Sequence, residues 1–336
     1  MKDEKILLDH GSGGRMSHRL ISDMLLPCFD NPVLARLDDG AVFDIRGRQI
    51  AFSTDSYVVD PIFFPGGDIG ELSVNGTVND LAMCGAEPLF ISAGFIIEEG
   101  FSMTDLGTIT GSMKRAAQEA GVQIVTGDTK VVQRHAADKI FINTSGVGLI
   151  PKGLDISGQN AKPGDQIILS GFIADHGITI LTQREGLTLE SSLKSDTAPL
   201  NGLVQDMLAA SKNIHTLRDP TRGGVATTLN EIAMQSGIGI RLVESTIPVR
   251  DEAKGACELL GLDPLYIANE GKLLACVAPE DTAKVLAAVR DNTYGQDAAI
   301  IGEVTAGNPG KVLMETAIGG TRIIDMLSGE PLPRIC

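Results

Sequence analysis

Residues Gly67–Leu89, GDIGELSVNGTVNDLAMCGAEPL, decide how the chain is organised. The segment reads as one helix. Ile69, Leu72, Leu81 and Met83 give it a core side, while Glu71, Asn75 and Asn79 form a polar stripe with Asp80 beside it. Gly70, Ser73, Gly76, Thr77 and Ala82 let other backbone come close; Gly85 stops the helix and Pro88 prevents a restart. A helix with an uncharged amide stripe, a carboxylate and no bulky outer face is poorly made for solvent. It is suited to lie against something polar.

Around it, apolar β-like runs lead to acids in turn-forming company. Asp38 and Asp39 precede Gly40 within Leu37–Ile45, Asp55 lies between Thr54 and Ser56 within Ile50–Pro61, and Asp128 follows Gly127 within Val122–Val132. Strand ends and their turns are where chemistry is displayed. If these acids converge with Asp80 they need cations, because two carboxylates ~4 Å apart repel by roughly 4 kcal/mol at an effective dielectric of 20. An all-oxygen set suits Mg²⁺, which binds through a few carboxylates plus substrate phosphates. The pattern points to a magnesium–nucleotide site.

The chain has 336 residues, 43% of them hydrophobic, enough for two domains with their own cores. Aromatic residues make up 4% and Trp is absent, so small and aliphatic side chains must fill those cores. A net charge of −15 offers no basic field for nucleic acid or an anionic membrane. No apolar run approaches the ~20 residues that cross a bilayer, and the start, MKDEKILLDH, carries no signal segment. A soluble cytoplasmic protein is expected. The cysteines (Cys28, Cys84, Cys257, Cys276, Cys336) are scattered without a C-x-x-C pair, which argues against zinc or a disulfide framework. Cys84, Cys257 and Cys276 read as core thiols. Cys336 stands apart as the last residue, after a tail, LSGEPLPRIC, that Pro331 and Pro333 bias toward extended forms.

Taken in order, the chain opens with a Gly-rich turn (Gly11, Gly13, Gly14) and a helix from about Met16 to Leu26. That turn is either a phosphate contact or a flexible lead-in; no dinucleotide or P-loop glycine pattern occurs. Ser102–Ala120 is a helix with a Ser102/Asp105 capping box and a Gly121 stop, and Lys139–Ile150 is a strand. The Pro- and Gly-marked stretch PKGLDISGQNAKPGD, 151–165, reads as a linker. Beyond it, Gln166–Ser170 reads as a strand, Leu200–Ala210 and Asp281–Asp291 as helices, followed by short strands up to Asp325. In RDPTRGGVATTLNEIAMQSG, Arg218–Gly237, either Asp219 or Thr221 simply caps a helix, or Asp219 faces an anion or metal at its N-terminus. Glu270 sits in an Asn-Glu-Gly turn within Tyr266–Pro279, read as a hairpin, where it is either a bystander or a placed acid/base. His135, His176 and His215 read as structural.

In this order and spacing, LDDGAVF, STDSYV, VNGTVNDLAMCGAEPL, VTGDTKVV and RDPTRGGVA resemble the aminoimidazole-ribonucleotide (AIR) synthetase superfamily. That superfamily also holds selenophosphate synthetases, thiamine-monophosphate kinases and the HypE family of hydrogenase maturation proteins. The likeness runs from about Leu7 to Cys336, and DHGSGGRMS, IANEGKLL and the ending PRIC are similar to the HypE family in particular. The resemblance implies an α+β, two-domain PurM-like fold with a flexible C-terminal tail. Residues 1–36 would form the Gly-rich segment and helix, 37–150 an ATP/Mg-binding and dimerisation domain, 161–326 an AIR synthetase-like domain, and 327–336 the tail.

ATP and Mg²⁺ would lie between the domains, with Asp38, Asp39, Asp55, Asp80 and Asp219 as metal ligands and Asp80, Asp128, Gly11, Gly13 and Gly14 at the nucleotide. Which of Asp38 and Asp39 ligates directly stays open. Glu270 and Lys130 would act on a substrate carried by Cys336. The implied activity is that of a carbamoyl dehydratase, an ATP-dependent conversion of an S-carbamoyl group on Cys336 to a thiocyanate. This would supply the cyanide ligands of [NiFe]-hydrogenase iron. The implied partners are a second copy, the carbamoyltransferase HypF and the iron-carrying HypC–HypD complex. Selenophosphate synthetase would need a reactive Cys or selenocysteine in the Gly-rich segment, and HGSGGRMSH has none. The alternative of another class is a nucleotide-switched scaffold for metallocentre assembly that performs no chemistry.

Overall fold

A computed structural model describes residues 5–29, 31–186, 192–329 and 332–336; Pro331 lies outside them. Among the described residues the strands form two large sheets and a small ribbon pairing Phe63–Phe64 with Gly67–Asp68. The first sheet runs, edge to edge, Ala41–Ile45, Arg48–Tyr57, Ile140–Leu149, Glu87–Glu98, Gln123–Val132. It is antiparallel except for its last pair. The second runs Thr321–Ile324, Lys311–Glu315, Gly239–Val243, Ala299–Thr305, Gln166–Leu169, Leu274–Val277, Ile214–Arg218. The fold is α+β, with the strands read from sequence overlapping those observed. Helix Met103–Ala120 begins where the Ser102 hydroxyl accepts from the Asp105 N–H and ends at Gly121, whose φ is 71°. Helices Asp175–Arg184 and Asp251–Leu260 escape the sequence reading. Neither has a side-chain N-cap, and DHGITILTQR is rich in β-branched residues.

The central helix is Ile69–Met83, capped by Asp68, whose carboxylate accepts from the Gly70 and Glu71 N–H groups at 2.7 and 3.2 Å. The segment is thus shorter than the single helix read from sequence: Gly67–Asp68 is strand, and Pro88 lies inside the strand Glu87–Glu98. The helix is buried nearly all round, including Ser73, Asn75, Thr77 and Asn79. Gly70 and Gly76 are needed there, since a Cβ would fall 2.4 Å from the Ile109 carbonyl and 2.1 Å from the Tyr57 hydroxyl.

The amide stripe meets the second half of the chain. Asn75 donates to Thr197 Oγ1 at 3.3 Å; Asn79 donates to the Ala198 carbonyl at 3.0 Å and accepts from the Leu200 N–H at 2.7 Å. The polar surface that this helix lies against is therefore largely backbone. Asn79→Ala leaves that N–H and carbonyl buried and unpaired, so the unfolding free energy in urea should fall by roughly 2–4 kcal/mol. An unchanged midpoint would show that the halves are held otherwise.

One apolar cluster joins both halves and the tail: Tyr57, Ile69 and Ile142 from the first, Ala174, Ile178 and Ile267 from the second, with Leu332, Ile335 and Cys336. Most of the remaining core lies on the two faces of the second sheet, and a smaller cluster of Ala51, Leu81, Cys84, Ala86 and Ile150 lies in the first half. Cys84, Cys257 and Cys276 are buried, as expected, and Cys28 is exposed. The tail expected to be flexible is docked. The Val58 N–H donates to the Cys336 carbonyl at 2.9 Å and the Asp60 N–H to that of Arg334 at 3.2 Å.

Candidate active site

Acids from both halves converge beside the last turn of the central helix. Burial first, then the charges of Asp219, Asp55 and Asp39, hold Asp80 well above the usual carboxylate range. Burial raises Asp39 strongly against the opposing Arg218 guanidinium, and raises Asp55 against Arg222. Asp219 is pushed up to about 6, chiefly by burial, with Arg218 opposing. Asp39, Asp55, Asp80 and Asp219 lie near one another, with countercharge from Arg218 and Arg222 on either side of Asp219 in the sequence; Asp128, expected among them, lies apart.

Three of these acids are also turned to a donor. Ser53 Oγ donates to Asp80 Oδ2 at 2.5 Å, Arg218 pairs with Asp39 Oδ1 at 2.8 Å, and the Ser56 N–H donates to Asp55 Oδ1 at 2.7 Å. Among the described residues no three His, Cys, Asp or Glu side chains are placed to hold a metal ion as they stand.

The structure separates Asp38 from Asp39. Asp38 accepts from Ser157 Oγ at 2.9 and 3.0 Å, from the Gly158 N–H at 2.9 Å and from Arg36 Nε at 3.0 Å, so it anchors the linker. Asp39 Oδ2 is buried without a hydrogen-bond partner among the described residues. Beside it lies a cavity of about 700 Å³, with Asp39, Ser53 and Arg218 at its polar end and Ile21, Phe52 and Met234 on its apolar walls. That volume is in the range of small-molecule sites.

The Gly-rich turn does not present an open anion nest. The N–H groups of Gly13 and Gly14 are taken by Ser17 Oγ at 2.9 Å and Ser12 Oγ at 3.3 Å. Glycine is required there by close packing: a Cβ on Gly13 or Gly14 would meet the carbonyls of Arg222 and Leu327 at 2.8 and 2.5 Å. Gly11 offers its carbonyl to Arg222 Nη1 at 2.8 Å. Nor does Asp219 cap the helix that follows. That helix, Gly224–Ser236, starts from Gly223 at φ 82° without a side-chain cap.

Glu270 is not in a hairpin. Its segment is irregular and buried, entering the strand Leu274–Val277 from a short 3-10 turn, Pro264–Tyr266. Asn269 holds it in place: it accepts from the Ala174 N–H at 2.8 Å and donates to the carbonyls of Pro220 and Ile267, both at 3.0 Å. Gly271 passes so close to Asp196 that a Cβ would sit 1.7 Å from its carbonyl oxygen. The Glu270 N–H donates to Asp196 Oδ1 at 3.1 Å, while Glu270 Oε1 is buried with no hydrogen-bond partner among the described residues. Burial, then Asp55, Asp219 and Asp196, hold its carboxyl well above the usual range.

Asp128 and Lys130 lie elsewhere within one chain. They are exposed on the edge strand Gln123–Val132, paired with each other at 2.7 Å, and line a hollow with Ser56, Val58 and Asn143. Lys130 does not pair with Glu270, because its strand hydrogen-bonds at the outer edge of the sheet whereas Glu270 is buried between the halves. His215 is paired with Asp165 at 2.8 Å, and His135 is exposed on a turn at φ 67°. His176, read as structural, is fully buried and reaches the tail: its Nε2 lies 2.8 Å from the Ile335 carbonyl. Arg218, Arg222 and Asn269 are the site residues that sequence reading missed. Only the two arginines around Asp219 carried a local signal, in RDPTRGG.

Two family models match the chain, AIR synthase related protein, N-terminal domain, over 37–150, and the C-terminal domain of the same family over 162–315. The carbamoyl dehydratase HypE of Azotobacter vinelandii is 53% identical over 336 residues, covering 100% of this chain and 98% of that protein. A solved HypE in complex with ATP is 54% identical with a TM-score of 0.84, covering 99% of this chain and 100% of that one. A HypE from a HypE–HypF complex is 48% identical with a TM-score of 0.88, covering 92% of this chain and 99% of that one. Fold and full-length identity agree, and the chain belongs to the AIR synthase-related family and, within it, to the HypE carbamoyl dehydratases.

Proposed function

We propose that this chain uses MgATP to dehydrate an S-carbamoyl group on Cys336 to a thiocyanate, the source of the cyanide ligands of [NiFe]-hydrogenase iron. The docked tail carries this reading. Cys336 packs in the same apolar cluster as Ala268, two residues before the unpaired Glu270 carboxyl oxygen. In this reading Asp39, Asp55, Asp80 and Asp219 would hold Mg²⁺. The buried, unpaired Asp39 Oδ2 and the adjoining cavity suit such a ligand set. MgATP, when bound, supplies the phosphoryl group that makes the carbamoyl oxygen a leaving group, and ADP and phosphate depart having taken up the equivalent of one water. Glu270 takes protons from the carbamoyl nitrogen. Its raised affinity for protons makes it a stronger base than an exposed carboxylate. Arg222 balances the charge Glu270 acquires when ionised.

The proposed unit is a cytoplasmic homodimer formed through the outer face of the first sheet, where Phe52, Phe90 and Ile96 are exposed. That contact would cover Asp128 and Lys130, leaving them to act across the interface. The domains would be 37–150 and 161–326, with 327–336 as the working tail. HypF would load the carbamoyl group and the HypC–HypD complex would accept the cyanide. No helix among the described residues is long and apolar enough to cross a membrane.

To test the reaction, chain carbamoylated at Cys336 is given MgATP and its C-terminal peptide is weighed. Loss of one water with stoichiometric ADP is the expected result. ATP binding without a change of mass would instead favour the nucleotide-switched scaffold.

A further inference from the structure

We propose that His176 and Arg184 form a clamp that recognises the tail through its main-chain carbonyls and so positions Cys336. His176 Nε2 lies 2.8 Å from the Ile335 carbonyl and Nδ1 lies 2.8 Å from Ser195 Oγ. A carbonyl only accepts, so Nε2 carries the proton and Nδ1 accepts from the serine hydroxyl. The neutral ring satisfies both partners. Arg184 donates to the Arg334 carbonyl at 2.8 Å and to the Pro333 carbonyl, while bonding the Asp60 carbonyl at 2.9 Å. It thus ties the tail to the bend after the strand Arg48–Tyr57, which also bonds Arg334 through the Asp60 N–H.

Three successive carbonyls leave water on docking and each needs a donor. The guanidinium and the imidazole supply these from one helix, Asp175–Arg184. Such recognition does not consult the group on the sulfur. Thiol, carbamoylated and dehydrated tails are gripped alike, and chemistry on Cys336 proceeds at a fixed position. This deepens the proposed function and rests on its assignment of Cys336 as the substrate carrier.

The test is a timed pulse of N-ethylmaleimide on the full chain without nucleotide, with each cysteine-containing peptide quantified by mass spectrometry. Cys28, which is exposed, serves as the internal reference, and the buried Cys257 and Cys276 report on folding. His176→Phe and Arg184→Met should each label Cys336 about tenfold faster than the wild type, the scale of a lost buried hydrogen bond, with Cys28 unchanged. His176→Gln, which keeps a donor for Ile335 and an acceptor for Ser195, should stay within about twofold of the wild type. Wild-type labelling in both the Phe and Met variants, or a Gln variant as fast as the Phe variant, overturns the clamp. If His176→Phe also exposes Cys257 and Cys276, Arg184→Met decides. Because the pulse uses an unmodified tail, a chain that shows this pattern yet never loses water when carbamoylated keeps the clamp and loses the dehydration reading.

Discussion

Glu270→Gln should bind MgATP with wild-type affinity while its carbamoylated tail loses water about 10²–10⁴-fold more slowly, the range of a missing general base. The substitution is gentle on the fold. Glu270 is 4% exposed, its N–H is held by Asp196 and its carbonyl by Asn79 at 3.3 Å, and none of these contacts involves the carboxyl group. Glutamine fills the same space but cannot take a proton. The wild-type carboxyl is prepared for that role by burial and by three neighbouring acids. Single-turnover mass analysis of the tail, alongside calorimetric nucleotide titration, separates binding from chemistry. Equal turnover would remove Glu270 from the mechanism.

Asp80→Asn should move stability and binding in opposite directions. Without nucleotide the variant should melt about 1–2 °C higher, the response of a 336-residue chain to ~1 kcal/mol, and MgATP should no longer raise that temperature. Asp80 sits among Asp219, Asp55 and Asp39, so removing its charge relieves repulsion. The Ser53 hydroxyl can still donate to the asparagine oxygen.

The pH dependence follows from the direction of the shifts. These carboxyls are raised in the folded chain, so the folded state binds protons more tightly than the unfolded one. The resulting stabilisation is complete below the ordinary carboxylate range and is lost as pH rises through the folded values, about 6 for Asp219. The stability gained by Asp80→Asn over the wild type should therefore grow from pH 4 to pH 7. Melting curves of both proteins over that range check the sign. A MgATP-induced shift retained in the variant would remove Asp80 from the metal set.

Strands, capped helices and turn acids were legible in the sequence because local rules govern them. Alternating apolar residues, Ser102 with Asp105 and the Gly121 stop each act within a few residues of one another. The central helix could likewise be read as buried against something polar from its small residues and amides alone. What the sequence could not decide were contacts between residues far apart along the chain. The amide of Asn75 finds the Thr197 hydroxyl, and that of Asn79 finds backbone, across the interface between the halves. Of the neighbours Asp38 and Asp39, one is consumed by the linker and the other has an oxygen without a hydrogen-bond partner among the described residues. Glu270 is held by Asn269 in a buried loop rather than a hairpin, and Lys130 is carried to an outer edge by strand order. A histidine without sequence neighbours became a tail contact because residues 176 and 335 meet only in the folded chain. Local chemistry wrote the elements and the acids; burial and long-range pairing decided which oxygen, ring and sulfur face one another.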